Sequence, residues 1–456
     1  MKLTTGQWLV AGGDQRIALD TVTGRNQYGC SAQPDADLIA LGSSTASVIS
    51  AGAWQEISQI ITSDESAWEA MRQQLRHLAG VSDDVAVVFA ASGTDAHHLV
   101  AQYAQTVSTQ PLATIMVAPE ETGSGVAAAL HDNGDGATLT TVALRHHHGM
   151  PRASADVDAD VIAATETALA QQQHVLINMI DVSKTGLTAP SADSVAALCA
   201  QYPGRITVVV DASQFRLTAA SLQQYLDSNY VVVITGSKFV TGPCFSGAIL
   251  IPQRVTLSWQ CYPVPASLQA VSCAWDWPRG FDVSALTKTG NHGLYLRWRS
   301  ALYELRAFHA LNSADIQCFL SEFSAAIHAK LNSNPVYEIL PVPALHRAQP
   351  AWDSEPSIFS FVLYHHQQPL SQSQTLAIYQ QLSASVLSGQ RFQLGQPVPC
   401  GIRAGIAVSA LRISISARLL VAALSPTGIG REAVIAQAQA VLDEVVRLVA
   451  ICTVLR

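Results

Sequence analysis

Between residues 84 and 235 the chain alternates six short runs rich in Val and Ile with helical stretches, and few folds accommodate that rhythm. The runs are DVAVVFA (84–90), LATIMVA (112–118), ATLTTVALR (137–145), HVLINMID (174–181), RITVVVD (205–211) and YVVVIT (230–235). Several lack the polar alternation of a half-exposed sheet, so they read as strands covered on both faces. Helical patterns such as DADVIAATETALAQQQ separate them. Repeated strand–helix–strand units predict an α/β fold: a mainly parallel sheet, right-handed crossovers and helices on both faces.

The remainder divides around that unit. Residues 1–55, rich in Gly, Ser, Thr and Ala, predict an N-terminal arm packed on the active-site side. The arm is either purely structural or brings Tyr28, Ser44 or Thr45 to the mouth of a site. From about 56 the chain turns helical, with Gly80 as the stop. The large α/β domain runs to 292. Residues 293–456 predict a smaller α+β domain, with two helices meeting near Asn312-Ser313, short β runs (SIFSFVLYHH, ALRISIS) and a C-terminal amphipathic helix.

Composition narrows the partners. A length of 456 residues suits one large and one smaller domain. Only 13 % of residues are charged, so a partner subunit is expected to cover part of the surface. A net charge of −8 with no Lys/Arg run gives no footprint for nucleic acid. The amino terminus has no apolar signal core, and no uninterrupted apolar stretch is long enough to span a membrane. Eight scattered cysteines without a CxxC pair read as reduced thiols in a cytoplasmic protein.

The chemistry concentrates in Asp211–Gly247. One strand ends in Asp211; the next ends at Thr235-Gly236-Ser237-Lys238. Ligands of open α/β sheets bind outside these carboxyl ends. An acid, a lysine and small hydroxyl residues at adjacent strand ends are what a pyridoxal phosphate site requires, the amine for a Schiff base and the carboxylate for the ring nitrogen. Upstream, Ser92-Gly93-Thr94-Asp95 follows the first strand and opens a helix, whose N–H groups favour a phosphate.

These motifs, with Asp211-Ala212-Ser213-Gln214 and Gly242-Pro243, resemble fold type I pyridoxal phosphate enzymes of the class V aminotransferase and cysteine desulfurase group over roughly residues 80–300. The resemblance implies a seven-stranded-type sheet, Lys238 as the Schiff-base residue, Asp211 at the ring nitrogen and Gln214 at the ring hydroxyl. Ser92, Gly93, Thr94 and Thr235 would hold the phosphate. Ser237 stands where the group has a histidine. Ser183, in Val182-Ser183-Lys184-Thr185-Gly186, would lie near the ring. Thr289-Gly290-Asn291 resembles the segment that touches a neighbouring subunit's phosphate, which implies a homodimer with shared sites and a cofactor role for Asn291. The ring-stacking histidine is missing; Glu120-Glu121-Thr122-Gly123-Ser124-Gly125 takes its place.

Arg412 lies mid-strand in an apolar setting, where a buried guanidinium needs a partner such as a bidentate carboxylate. The group places its arginine for the substrate α-carboxylate in a similar strand; Arg403 is the competitor. Desulfurases of the group carry a nucleophilic cysteine about 20 residues earlier. Here the corresponding segment is Ser388-Gly389-Gln390-Arg391-Phe392-Gln393-Leu394, and Phe392 falls near that place. Cys400 fits poorly. Lys184 lacks the strand arrangement of a Schiff-base lysine, the histidines 146–148 read as a solvated loop rather than a metal site, and Tyr225, Trp275 and Trp277 read as packing. The expected activity is transamination of an amino acid. The alternatives are a lyase acting on a β- or γ-substituted amino acid and a binding or regulatory protein of the same fold.

Overall fold

The computed structural model describes residues 3–42, 47–131, 136–384 and 390–452. Seven strands form the main sheet: β1 (Ala86–Ala90), β2 (Leu112–Val117), β3 (Thr138–Val142), β4 (His174–Ile180), β5 (Ile206–Ala212), β6 (Val231–Thr235) and β7 (Gly247–Ile251). Their order is β1-β7-β6-β5-β4-β2-β3. All pairings are parallel except those of β7, which runs antiparallel between β1 and β6. The six runs read from the sequence are β1 to β6; β7 was not anticipated. Its five residues, GAILI, are all buried.

The apolar continuity of the strands feeds two cores at once. On β1, Val87 and Phe89 enter one cluster while Ala86, Val88 and Ala90 enter the other. Alternate side chains point to opposite faces, so a strand apolar at every position has helices on both sides. β3 closes one edge, and its Thr-rich sequence is largely exposed.

The second sheet is antiparallel and comprises β8 (Tyr337–Ile339), β9 (Ile358–His365), β10 (Gln368–Pro369), β11 (Gly395–Arg403) and β12 (Ile406–Ser414). The sequence did not suggest β11, because Pro397 and Pro399 interrupt it. It is an edge strand with register shifts, the setting in which proline is tolerated. Arg412 on β12 stands opposite Ser360 on one side and Gly395 on the other.

The helical stretch expected from 56 to 80 is two helices, Ala51–Ser58 and Glu65–Ala79. Asp64 breaks it by capping the second, its carboxylate accepting from the Ala67 N–H at 2.8 Å, and Gly80 ends that helix at φ 66°. Asn312 caps the helix Ser313–Asn332, so the two long helices do meet there. The arm carries a short helix, Thr5–Leu9, and a strand, Leu38–Ala40, paired in parallel with Arg391–Gln393. No helix among the described residues is long and apolar enough to cross a membrane.

One buried carboxyl makes the large sheet's flank sensitive to pH. Asp276 accepts from the Cys273 N–H at 2.7 Å, while its other oxygen has no hydrogen-bond partner among the described residues. Burial pushes it up to about 7. A raised carboxyl favours the folded state below its unfolded value and loses that contribution as pH rises toward the folded value, at about 1.4 kcal/mol per pH unit. Asp276→Asn is therefore expected to raise the melting temperature at pH 8 and to change it little at pH 4. Equal shifts at both pH values would contradict this.

Candidate active site

Asp211, the sixth residue of β5, and Lys238, three residues past β6, come together because β5 and β6 are parallel neighbours with Asp211 opposite Val233. Both line one cavity, together with Ser92, Gly93, Thr94, Ser213, Thr235, Ser237, Gly123, Val126 and Phe245, and with Arg16 and Tyr28 from the arm. The helix α1 (Gly93–Val107) presents its N-terminus there. Close packing makes this possible. A Cβ on Gly247 would lie 2.4 Å from the Ser92 carbonyl oxygen, so only glycine lets β7 run beside the start of α1.

Asp211 is buried, and its Oδ1 accepts from the Ser213 N–H at 3.1 Å. Oδ2 lies 3.3 Å from Nε2 of His97, a fully buried histidine of α1. Burial opposes ionisation of Asp211, but His97, the Lys238 amine and Ser213 outweigh it and hold the carboxyl well below the usual range. His97 was not anticipated; a lone histidine on an apolar helix face carries no signal by itself. The Lys238 amine makes no hydrogen bond among the described residues. Burial, reinforced by Arg412, pulls it below the ordinary lysine range against the attraction of Asp211. The nucleophilic neutral amine is thereby favoured.

The other expected residues are placed as follows. The Ser92 hydroxyl donates to Asp95 Oδ2 at 2.7 Å and accepts from the Asp95 N–H, an N-terminal cap. The Thr235 hydroxyl donates to the Ser213 carbonyl at 2.7 Å. Ser237 is held by its own carbonyl, which accepts from Ser47 Oγ at 2.8 Å. Gln214, three residues after Asp211, is buried behind the cavity lining rather than in it, and its Oε1 has no hydrogen-bond partner among the described residues.

Ser183 does not line the cavity. Its hydroxyl donates to Glu121 Oε2 at 2.6 Å and accepts from the Leu187 N–H, fixing the 183–187 turn. Glu121 in turn pairs with Arg145 at 2.8 Å and with Thr185. Asn291 does not line it either. Its Oδ1 caps the helix His292–His309 and its Nδ2 donates to the Gly12 carbonyl at 2.7 Å, so it holds the arm. Of the three arm residues singled out in the sequence, Tyr28 reaches the cavity; Ser44 and Thr45 lie outside the described residues, as do Ser388 and Gly389.

Arg412 is buried outside the cavity lining, and among the described residues its guanidinium donates only to carbonyls: Lys184 at 3.1 Å and Gln396 at 2.8 Å. Gly395 makes room for it, since a Cβ there would lie 3.0 Å from Arg412 Nε. Burial lowers Arg412 to about 10. Arg403, the competitor, is ion-paired with Glu338 at 2.8 Å. Lys184, lowered to about 8 by burial with Arg412 and Lys238 adding, donates to the Pro119 carbonyl at 3.4 Å. Cys400 is buried and pushed up to about 11 by burial, and Phe392 is buried in the short strand beside the arm. No described cysteine lines the Lys238 cavity. Histidines 146–148 are exposed, and Tyr225 donates to Asp181 at 2.7 Å. Arg216 is a further residue without a sequence signal: it is buried without a hydrogen bond among the described residues, its guanidinium 4.8 Å from the Phe239 ring centre.

These residues fit the pyridoxal phosphate that the sequence resemblance implies. A buried acceptor without a donor (Gln214 Oε1) suits a ring hydroxyl, the ionised Asp211 suits a protonated ring nitrogen, and an amine without a hydrogen bond suits an aldehyde carbon. The backbone at Gly93 suits a phosphate; a Cβ there would press on Thr235 and Ser213, at 3.2 and 3.3 Å.

The fold is similar to that of solved aminotransferase and cysteine desulfurase structures. No family model matches the chain, and no curated protein matches it in sequence. Among solved structures, ureidoglycine–glyoxylate aminotransferase from Bacillus subtilis superposes with a TM-score of 0.55 at 11 % identity, covering 88 % of this chain and 92 % of that one. A NifS-like protein gives 0.54 at 14 % identity, with 89 % and 99 % covered. A cysteine desulfurase from Escherichia coli gives 0.53 at 14 %, with 90 % and 94 % covered.

Proposed function

We propose that this chain is a pyridoxal phosphate-dependent enzyme acting on an amino acid, an aminotransferase of the class V type. The observation that carries this reading is the Lys238 amine, free of hydrogen bonds among the described residues, sharing one cavity with ionised Asp211 and the N-terminus of α1. The lack of a described cysteine in the cavity favours transamination over thiol-based desulfuration.

Bound there, the cofactor would supply an electron sink for a bond to the substrate's Cα. Asp211 would hold the proton on the ring nitrogen, Gln214 the ring hydroxyl, and Gly93, Thr94, Thr235 and Ser237 the phosphate end. Arg412 offers a planar fork to the substrate's α-carboxylate. Lys238 Nζ, which burial holds below the ordinary lysine range, accepts and returns the proton at Cα. The same reading makes residues 56–292 the cofactor domain, 293–456 the substrate-carboxylate domain and 1–55 the cover. It also makes the protein a cytoplasmic homodimer, supported by its small charged fraction.

The test is to mix the protein, loaded with pyridoxal phosphate, with a panel of amino acids and analyse the products. Keto acid, with the amino group retained on the cofactor, is the expected result. Ammonia or pyruvate with unchanged cofactor would instead indicate a lyase acting on a β- or γ-substituted amino acid. Inertness toward every amino acid would overturn the proposal.

His97 is the positioning residue of this scheme. His97→Leu is expected to reduce kcat/KM about tenfold, the equivalent of about one pKa unit at Asp211. It should also shift the pH titration of the bound cofactor's absorbance. Loss of activity with an unmoved titration would make His97 purely structural.

A further inference from the structure

The arm enters the site through Arg16. The cavity is lined by only two cations among the described residues, Lys238 and Arg16. They sit toward different partners: Lys238 is within electrostatic reach of Asp211 and Arg412, whereas Arg16 is within reach of Asp95, in the first turn of α1, and of Tyr28. Arg16 thus shares the lining of one cavity with Gly93 and Thr94 and is within electrostatic reach of the first turn of the helix they open. Its guanidinium lies 5.0 Å from the Phe245 ring centre and pairs with Asp14 at 2.6 Å. Asp14 takes Nε and Nη2, and Nη1 has no hydrogen bond among the described residues.

The placement is built rather than incidental. Arg297, fully buried on the helix His292–His309, donates to the arm carbonyls of Ala11 at 2.6 Å and Gly12 at 3.2 Å, and to the Phe245 carbonyl at 2.6 Å. Asn291 adds its bond to Gly12. Gly12 has φ 65°, and a Cβ there would overlap the Asn291 amide, so the turn ahead of Arg16 admits only glycine. These clasps lock the arm against the loop that bears Phe245, four residues before Arg16. The segment expected to touch a neighbouring subunit's phosphate also holds this chain's own arm, through Asn291.

We infer that Arg16, delivered in cis by the N-terminal arm, supplies the cation that binds the cofactor's phosphate and makes the arm the cover of that end of the site. A guanidinium adds charge-assisted bonds to a phosphate dianion at the α1 N-terminus, beyond those that neutral N–H donors give. The inference rests on the cofactor reading above, and its test separates the two.

Dissociation constants for pyridoxal phosphate and for pyridoxal, which lacks the phosphate, are measured by absorbance titration on wild type, Arg16→Gln and Arg16→Lys. Arg16→Gln is expected to weaken pyridoxal phosphate roughly ten- to hundredfold while leaving pyridoxal within about twofold, with Arg16→Lys in between. Inorganic phosphate should compete with pyridoxal phosphate on wild type and compete less well on Arg16→Gln. Equal pyridoxal phosphate affinity in wild type and Arg16→Gln would overturn the inference and leave the cofactor reading standing. So would parallel losses for both ligands, since the arm would then act through packing alone. A wild type that binds neither ligand would bring down the cofactor reading itself.

Discussion

Lys238→Ala is expected to lower turnover of the best amino acid by about 10²–10⁴-fold, the usual contribution of a positioned acid–base group. It should also abolish borohydride-fixable attachment of the cofactor to the chain, read by intact mass. The amine is the one lysine lining the cavity among the described residues, and burial lowers it below the ordinary lysine range. Truncation removes a buried amine that makes no hydrogen bond, so the fold should tolerate it. A variant that still fixes the cofactor would move the attachment elsewhere, with Lys184 next in line. A folded variant with unaltered turnover would remove Lys238 from the chemistry altogether.

Arg412→Met carries the second large effect. Its guanidinium is held by two carbonyls that orient it without neutralising it. Removing one partner of a buried, hydrogen-bonded charge pair costs about 2–5 kcal/mol, so kcat/KM for α-amino acids should fall by about 30- to 3,000-fold, mostly through KM. Amines that lack the α-carboxylate should react at the wild-type rate. If both substrate classes decline together, the residue supports the sheet rather than the substrate. The carbonyls of Lys184 and Gln396 would lose their donors in either case, so a lower melting temperature does not distinguish the two roles.

The sheet was legible because its strands are apolar at consecutive positions, a pattern that has one explanation once helical stretches separate the runs. Asp211 and Lys238 were legible for a related reason: each ends a strand, and parallel neighbours carry such ends to the same edge. What escaped had no local signature. GAILI is too short to separate from loop, and β11 hides behind two prolines that only an edge position permits. The break at Asp64 was masked by the helical character on both sides.

Side-chain partnerships across the fold were illegible in principle. His97 meets Asp211 only because α1 lies over β6 and β7, and Ser183 turns to Glu121 because both reach the same turn. Arg16 lies in GGDQR, a stretch with no periodicity, and its meaning depends on the Arg297 clasp.

The antiparallel insertion of β7 has a consequence for how the molecule is made. The strand leading to Ser92 and the strand leading to Lys238 do not touch; Gly247–Ile251 is the mortar between them. A nascent chain that has emerged only as far as Lys238 holds every ring-facing group named above and still has no pocket. On the reading proposed above, a chain truncated after Lys238 is expected not to retain pyridoxal phosphate, whereas one that has completed this seam and the domains beyond it should.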